Sequence, residues 1–297
     1  MNDDGTQTIK ISVNMKQNHK IRLFYFMSES NFGDVLTLVI FNKLFGLDVE
    51  QAGKKYSDIV AIGSLLECII AKPSQWFKIF RKYFYPCLLV WGTGFIEEQQ
   101  YENQKLKRRV DIRAVRGYNT LERLRRITGK PLESVVVADP GLLAGRLIDA
   151  SQINKKYALG IIPHYVDKGN PLLEKIKVKN AVVIDIQQSP EEFLKRLAEC
   201  ENVISSAMHG LIAADSLGIP NIRMTLSDKI LGGDYKYNDY YSAFGLDSHI
   251  KIDLARFEFL DKDLPNIRIN YKIKPDKVTE LQEALIASFP YKGLKNC

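Results

Sequence analysis

The chain has 297 residues, of which 45% are hydrophobic and 26% charged, with a formal net charge of +7. That length buries a sizeable core and suits two compact domains or one large one. No apolar run approaches the ~18 residues of a membrane span, and the polar first twenty residues lack the apolar core of a secretory signal, so the expectation is a cytoplasmic protein.

Residues 1–20 read as a loose arm. Residues 21–26 are strand-like and run into Ser28-Glu29-Ser30-Asn31-Phe32-Gly33-Asp34, after which residues 35–45 have helical length and stop at Gly46. The strand-then-glycine theme returns in residues 58–63 and 87–92, and further strands are expected at 112–115 and 135–141. The basic stretch 105–126 alternates with apolar residues, as a strand with one wet face would. Cys68, Cys87, Cys200 and Cys297 are far apart and form no C-x-x-C pair, which argues for reduced thiols over a zinc knot or a disulfide framework.

Residues 142–156 are the expected linker. Beyond them, strands are expected at 157–164, 181–184 and 202–204. A helix over 190–200 is started by Ser189, and a second runs from about 211 to 217, stopped at Gly218-Ile219-Pro220. Residues 276–289 read as an amphipathic helix free to pack back on either domain. The expected fold class is α/β: two Rossmann-like open parallel-sheet domains, 21–150 and 151–297, facing a cleft, with a C-terminal helix. This GT-B-like layout resembles that of many sugar-transferring enzymes, and architecture alone licenses no chemistry.

Open parallel sheets bind ligands beyond the carboxyl ends of their strands, so the loops there matter most. In Ser205-Ser206-Ala207-Met208-His209-Gly210 an apolar strand turns into a helix with His209 in or beside its first turn. Free N–H groups at such a turn attract phosphate or carboxylate, a glycine gives a ligand room, and a histidine can shuttle a proton near neutral pH. The plainer reading is a serine-capped helix with an incidental histidine. Asp34 reads equally as a helix cap, Gly92 and Gly94 lack the third glycine of a dinucleotide fingerprint, Lys236 and Asp239 are spaced to form a surface ion pair, and Asp139-Pro140 reads as a turn. No His, Cys and carboxylate grouping has metal-ligand spacing. The dispersed basic residues accompany no nucleic-acid motif, so neither a metal nor nucleic acid is expected.

Residues 205–220, S-S-x-x-H-G-L-I-x-A-x-x-L-G-I-P, resemble the signature of the polysaccharide pyruvyltransferase family. Asn31-Phe32-Gly33-Asp34 is similar to its N-terminal N-x-G-D loop, Trp91-Gly92-Thr93-Gly94 to its central G-x-G turn, and Pro163-His164-Tyr165-Val166-Asp167 to the P-H-Y-x-D segment of its short exopolysaccharide-type and capsule-type members. Lys236-Tyr237-Asn238-Asp239-Tyr240-Tyr241 also resembles the family. These segments lie in order across residues 21–245.

The resemblance implies transfer of a carboxyethylidene group from phosphoenolpyruvate to two hydroxyls of a hexose, with release of phosphate. Galactose, as a 4,6-ketal in a repeat-unit precursor on a lipid diphosphate, is the implied acceptor. It implies no cofactor beyond the donor substrate. His209 and His164 would be catalytic, and Ser205, Ser206, Gly210, Arg113, Arg116, Arg223 and Lys236 would hold the donor on the second domain. Asn31, Gly33, Asp34, Gly92, Thr93 and Gly94 would line acceptor or cleft loops on the first. Many relatives carry arginine where this chain has Ala207, which leaves the donor carboxylate to Arg113, Arg116 or Arg223. The basic balance also suits peripheral contact with the inner leaflet. A nucleotide-sugar glycosyltransferase and a non-catalytic glycan- or phosphate-binding protein are the competing readings.

Overall fold

The computed structural model describes residues 20–26, 32–71, 79–80, 83–98 and 102–290; Asn31 and Cys297 lie outside them. In the first half β1 (Ile21–Leu23) leads into α1 (Phe32–Phe45), then β2 (Val49–Gln51) and β3 (Ile59–Val60). A small antiparallel ribbon of β4 (Ile70–Ala71) and β6 (Lys105–Leu106) flanks them. β5 (Leu88–Trp91), β7 (Val110–Val115), α2 (Tyr118–Thr128) and β8 (Val136–Val137) complete the unit. Six of these strands pair in parallel in the order β2-β1-β3-β5-β7-β8. Every side chain of β5 is buried, as an unbroken Leu-Leu-Val-Trp run requires of a strand covered on both faces.

The second half contains β9 (Leu159–Ile162), β10 (Ile176–Lys177), β11 (Ala181–Val183), α3 (Pro190–Ala198), β12 (Val203–Ser205), α4 (Met208–Ser216), β13 (Asn221–Thr225), α5 (Tyr235–Ser242) and β14 (Lys251–Asp253). β15 (Phe259–Leu260) pairs with β10, and α6 (Leu264–Asn270) and α7 (Pro275–Ser288) follow. Its main sheet is parallel in the order β11-β9-β12-β13-β14. The chain is thus α/β with two open parallel sheets. Among the described residues no helix is long and apolar enough to cross a membrane.

Strand order reverses between β1 and β3 in the first sheet and between β9 and β12 in the second. Crevices form at such switch points, beyond the carboxyl ends of the strands. His164 follows β9 and His209 follows β12, so the second crevice lies between the two histidine loops.

Two helices begin three residues earlier than their apolar patterns suggest. Ala207 is extended at the head of α4, and its N–H donates to Ser205 Oγ at 3.0 Å, so the strand's last residue caps the turn and frees Met208 to start the helix. α1 starts at Phe32, which puts Gly33 and Asp34 inside the first turn. The edge strands β2 and β14, with the mixed compositions Val-Glu-Gln and Lys-Ile-Asp, carry too little periodicity to be read from sequence.

One hydrophobic core joins the halves, running from Leu23, Phe32 and Ile40 through Leu142 and Leu143 to Leu194, Leu211 and Ile212. The expected linker therefore opens with residues that have no solvent exposure, Leu142 to Ala144, and its first exposed residue is Arg146. α7 packs back on the first sheet: Trp91 Nε1 donates to Leu285 O at 3.2 Å, and Phe45 stacks on Phe289 at 4.6 Å.

A polar bridge adds to this. Arg116, at the end of β7, donates from Nε to Asp239 Oδ2 of α5 at 2.9 Å, and both side chains are fully buried. Asp239 also accepts from Thr120 N and Oγ1, capping α2 from across the chain. Gly117 is needed there, because a methyl group on it would lie 1.7 Å from Asp239 O. Removing one partner strands a buried charge, at a cost of about 3–5 kcal/mol. Arg116→Met is expected to lose that much in denaturant unfolding; a loss below about 1 kcal/mol would contradict the bridge.

Candidate active site

Two segments carry the site in the second half, the β9 loop with His164 and the β12–α4 turn with His209. Ser206 ties them: its hydroxyl accepts from His164 N at 2.8 Å and lies 3.2 Å from Asp167 Oδ2, while Ser227 Oγ donates to Asp167 Oδ1 at 2.5 Å. Ser205 Oγ sits 2.9 Å from Ile162 O and 2.8 Å from Ala207 O. Both serines are completely buried with their hydroxyls engaged inside the protein, so they shape the turn and do not reach a ligand. Gly210 is likewise a packing position, since a methyl group there would lie 2.6 Å from Ser205 Oγ and 3.0 Å from Ile162 Cγ2.

The first half closes over His209. A methyl group on Gly33, in the first turn of α1, would lie 2.1 Å from His209 Nδ1, so only glycine allows this helix start to abut the imidazole. The N-termini of α1 and α4 thus converge on one half-buried ring, and helix N-termini favour anions. His209 Nε2 is buried and has no hydrogen-bond partner among the described residues. Burial first, then the charges of Lys236 and Arg116, push its pKa down to about 3, and His164 falls to about 4 by burial and Lys236. Both imidazoles are neutral at physiological pH.

Lys236, in the first turn of α5, is the cation they face. Burial and then the neighbouring charges of Arg116 and Arg223 depress its pKa to about 7. The expected pairing with Asp239 does not form, because Arg116 and Thr120 occupy that carboxylate. Among the described residues Lys236 has no carboxylate partner, and its Nζ sits 5.4 Å from the Tyr237 ring centre. The guanidinium of Arg223 on β13 lies 3.7 Å over the same ring, with Nη1 at 2.7 Å from Asp234 Oδ1 and 2.7 Å from His249 Nε2. Tyr237 in turn donates to Ser206 O at 2.7 Å, so α5 is fastened to the histidine turn.

Other expected residues are placed differently. Arg116 has no solvent exposure, and its guanidinium is taken up by Asp239, Ser64 Oγ and Phe95 O; it adds positive potential from behind the site and does not contact a ligand. Arg113 is exposed and paired with Asp111 at 2.9 Å, on the wet face of β7. Gly94 makes room for the Arg116 guanidinium, which would meet a methyl group at 2.5 Å. Gly92, at φ +87, packs on the Pro140 ring, and Thr93 Oγ1 accepts from Leu65 N and donates to Gly63 O. These loop residues build the wall behind the site.

Asp139 serves the turn that Asp139-Pro140 suggests, capping the segment Pro140–Arg146. It has no solvent exposure, its Oδ1 accepts from Gly141 N at 2.8 Å, and its Oδ2 has no partner. Burial raises its pKa to about 7. Only a conserved pattern of burial could have drawn attention to it, since Asp-Pro after a strand is an ordinary turn signal.

The family description "Polysaccharide pyruvyl transferase" matches residues 3–228. "Uncharacterized protein L143" of Acanthamoeba polyphaga mimivirus is 32% identical over 67% of this chain and 71% of its own length. "Succinoglycan biosynthesis protein ExoV" of Rhizobium meliloti (strain 1021) is 25% identical over 46% of this chain and 41% of its own. A crystal structure titled as the glycotransferase of kitacinnamycin superposes over 91% of this chain and 95% of that one, at 10% identity and a TM-score of 0.38. Matched over most of its length, the chain belongs to the polysaccharide pyruvyl transferase family and is a transferase that acts in pyruvyl transfer onto polysaccharide.

Proposed function

We propose that the chain moves the carboxyethylidene group of phosphoenolpyruvate onto two hydroxyls of a hexose, with galactose O4 and O6 as the leading acceptor pair. Lys236 carries this reading: a half-buried ammonium that has no carboxylate partner among the described residues and whose charge reaches both neutral imidazoles, with Arg223 near it. A half-buried ammonium that no described carboxylate pairs, next to two arginines already paired, is stabilised by an anionic ligand, and phosphoenolpyruvate brings both a phosphate and a carboxylate.

Protonation of the donor's methylene carbon makes C2 electrophilic, one sugar hydroxyl attacks, phosphate leaves, and the second hydroxyl closes the ring. The two hydroxyl protons balance the one gained by the methyl group and the one gained by phosphate. Lys236 and Arg223 hold the anion, whose negative charge favours the imidazolium form of His209; the ring so protonated from solvent delivers the carbon-bound proton, and His164 accepts from the attacking hydroxyl. The first sheet serves the acceptor and the second the donor, divided near residue 150.

The test is incubation with phosphoenolpyruvate and hexoside acceptors, following phosphate release and a product heavier by one carboxyethylidene group. Nucleotide release from a nucleotide sugar in its place would overturn the reading.

The acceptor is proposed to be lipid-linked. Phe80, Tyr83 and Phe84 are 62%, 67% and 81% exposed. The surrounding residues 68–96 carry Lys72, Lys78, Arg81 and Lys82 and no acidic residue. Exposed aromatics with basic neighbours suit an anionic leaflet, at about 1 kcal/mol per basic residue. Co-flotation is expected with vesicles containing phosphatidylglycerol and not with phosphatidylcholine alone, and Phe80→Ser with Phe84→Ser should abolish it. Equal flotation of this variant would count against the patch.

A further inference from the structure

Of the three arginines expected to meet the donor carboxylate, Arg113 is paired with Asp111 on the wet face of β7 and Arg116 is enclosed behind the site, which leaves Arg223. How Arg223 is held therefore bears on what the site selects. Its Nη1 donates to Asp234 Oδ1 at 2.7 Å, but that carboxylate is 49% exposed and shared with Lys251, whose Nζ lies 2.6 Å from Oδ2. A surface carboxylate divided between two cations is a weak anchor for either.

The second partner of Nη1 is His249, in the segment between α5 and β14, with Nε2 at 2.7 Å. A guanidinium has donors only, so Nε2 is the bare, accepting nitrogen. The ring's single proton is then on Nδ1, which donates to Asn238 Oδ1 at 2.9 Å. Both ring nitrogens are engaged, and the ring plane is fixed by Tyr241, stacked at 5.3 Å and 18°, and by Tyr237 at 5.4 Å. Tyr237, Asn238 and Tyr241 all belong to α5, the helix that carries Lys236 in its first turn. His249 thus ties Arg223 to the helix of Lys236. It does so without neutralising the arginine: burial, and then the guanidinium itself, push the imidazole pKa down to about 4, so near pH 7 the ring accepts a hydrogen bond and adds no charge. With both N–H groups of Nη1 engaged, a ligand is left the donors on Nε and Nη2.

We propose that His249 is a positioning residue for donor specificity: it registers the guanidinium of Arg223 against Lys236, so that the two cations prefer a ligand with both a phosphate and a carboxylate to a lone phosphate. Lys236 meets the phosphate as a point charge, and the flat guanidinium meets the carboxylate. His249 does not touch the ligand. The inference rests on the proposed function for the identity of that ligand, and its test separates the two.

Calorimetric titration of the full chain at about pH 7 with phosphoenolpyruvate, and separately with inorganic phosphate, gives the preference. Wild-type protein should bind phosphoenolpyruvate at least about tenfold more tightly. His249→Leu, which fills the space and accepts nothing, should lose about tenfold in affinity for phosphoenolpyruvate and stay within about twofold for phosphate. His249→Gln, whose side-chain carbonyl can accept from Arg223 Nη1, should keep the preference within about threefold. If His249→Leu folds poorly, 15N-histidine spectra of the wild-type chain remain: the chain has four histidines, and His249, assigned with His249→Gln, should carry its proton on Nδ1 with Nε2 bare. A proton on Nε2, no preference in wild-type protein, or a preference untouched in His249→Leu would each overturn the inference. A His249→Gln protein as defective as His249→Leu would reduce the residue to packing. A preference lost in His249→Leu, with no ketal formed on any hexoside by wild-type protein, would sink the proposed reaction and leave this inference standing; ketal formation with the preference intact in His249→Leu would do the reverse.

Discussion

His209→Gln is expected to lower kcat by about 10²–10⁴, the usual worth of a positioned proton-transfer group, and to leave the melting temperature unchanged or higher. The ring is half-buried in the first turn of α4 and presses on Gly33 of α1, so its position is fixed from both halves. Its Nε2 gains nothing from the fold, being buried without a partner. Groups kept at such a cost sit at functional sites, and their removal tends to stabilise. Steady-state kinetics with a thermal melt check both parts. Full turnover, or a melt lowered by many degrees, would show that His209 is a packing residue.

Lys236→Met should weaken phosphoenolpyruvate binding so that kcat/KM falls by about 10²–10³, the loss seen when one preorganised electrostatic contact is removed. It should also change the pH response. With its pKa at about 7, Lys236 is charged below that value and largely neutral above it. An anion stabilises the ammonium and raises its pKa, so binding above about pH 7 requires uptake of one proton. Affinity then falls about tenfold per pH unit between about 7 and 8.5. Lys236→Met should bind weakly with no such slope. Lys236→Arg, charged throughout, should bind with a flatter profile. A wild-type affinity independent of pH over that interval would contradict the role given to Lys236.

The alternation of short strands and helices was legible because each apolar run carries its own period: β5 and β9 fall within the runs that suggested them, and β12 overruns its own by Ser205. The turn before α4 was legible too, since serines, a histidine and a glycine at a strand end are a local pattern. What each of those residues does was not. Ser205, Ser206 and Gly210 looked like a ligand's surroundings and serve the turn itself, because burial depends on how α4 lies on β9. The Arg116–Asp239 pair spans 123 positions. From local spacing Asp239 belongs to Lys236; only the packing of α5 on α2 shows that Arg116 claims it and leaves Lys236 without it. Asp139-Pro140 reads locally as a turn and is one; its complete burial is set by long-range packing and was not legible.

The most direct measurement is calorimetric titration of phosphoenolpyruvate into the wild-type chain at about pH 7, repeated with inorganic phosphate and with a nucleotide sugar present. The account predicts binding of phosphoenolpyruvate, competition by phosphate and indifference to the nucleotide sugar. Tight binding of the nucleotide sugar, with none of phosphoenolpyruvate, would contradict it.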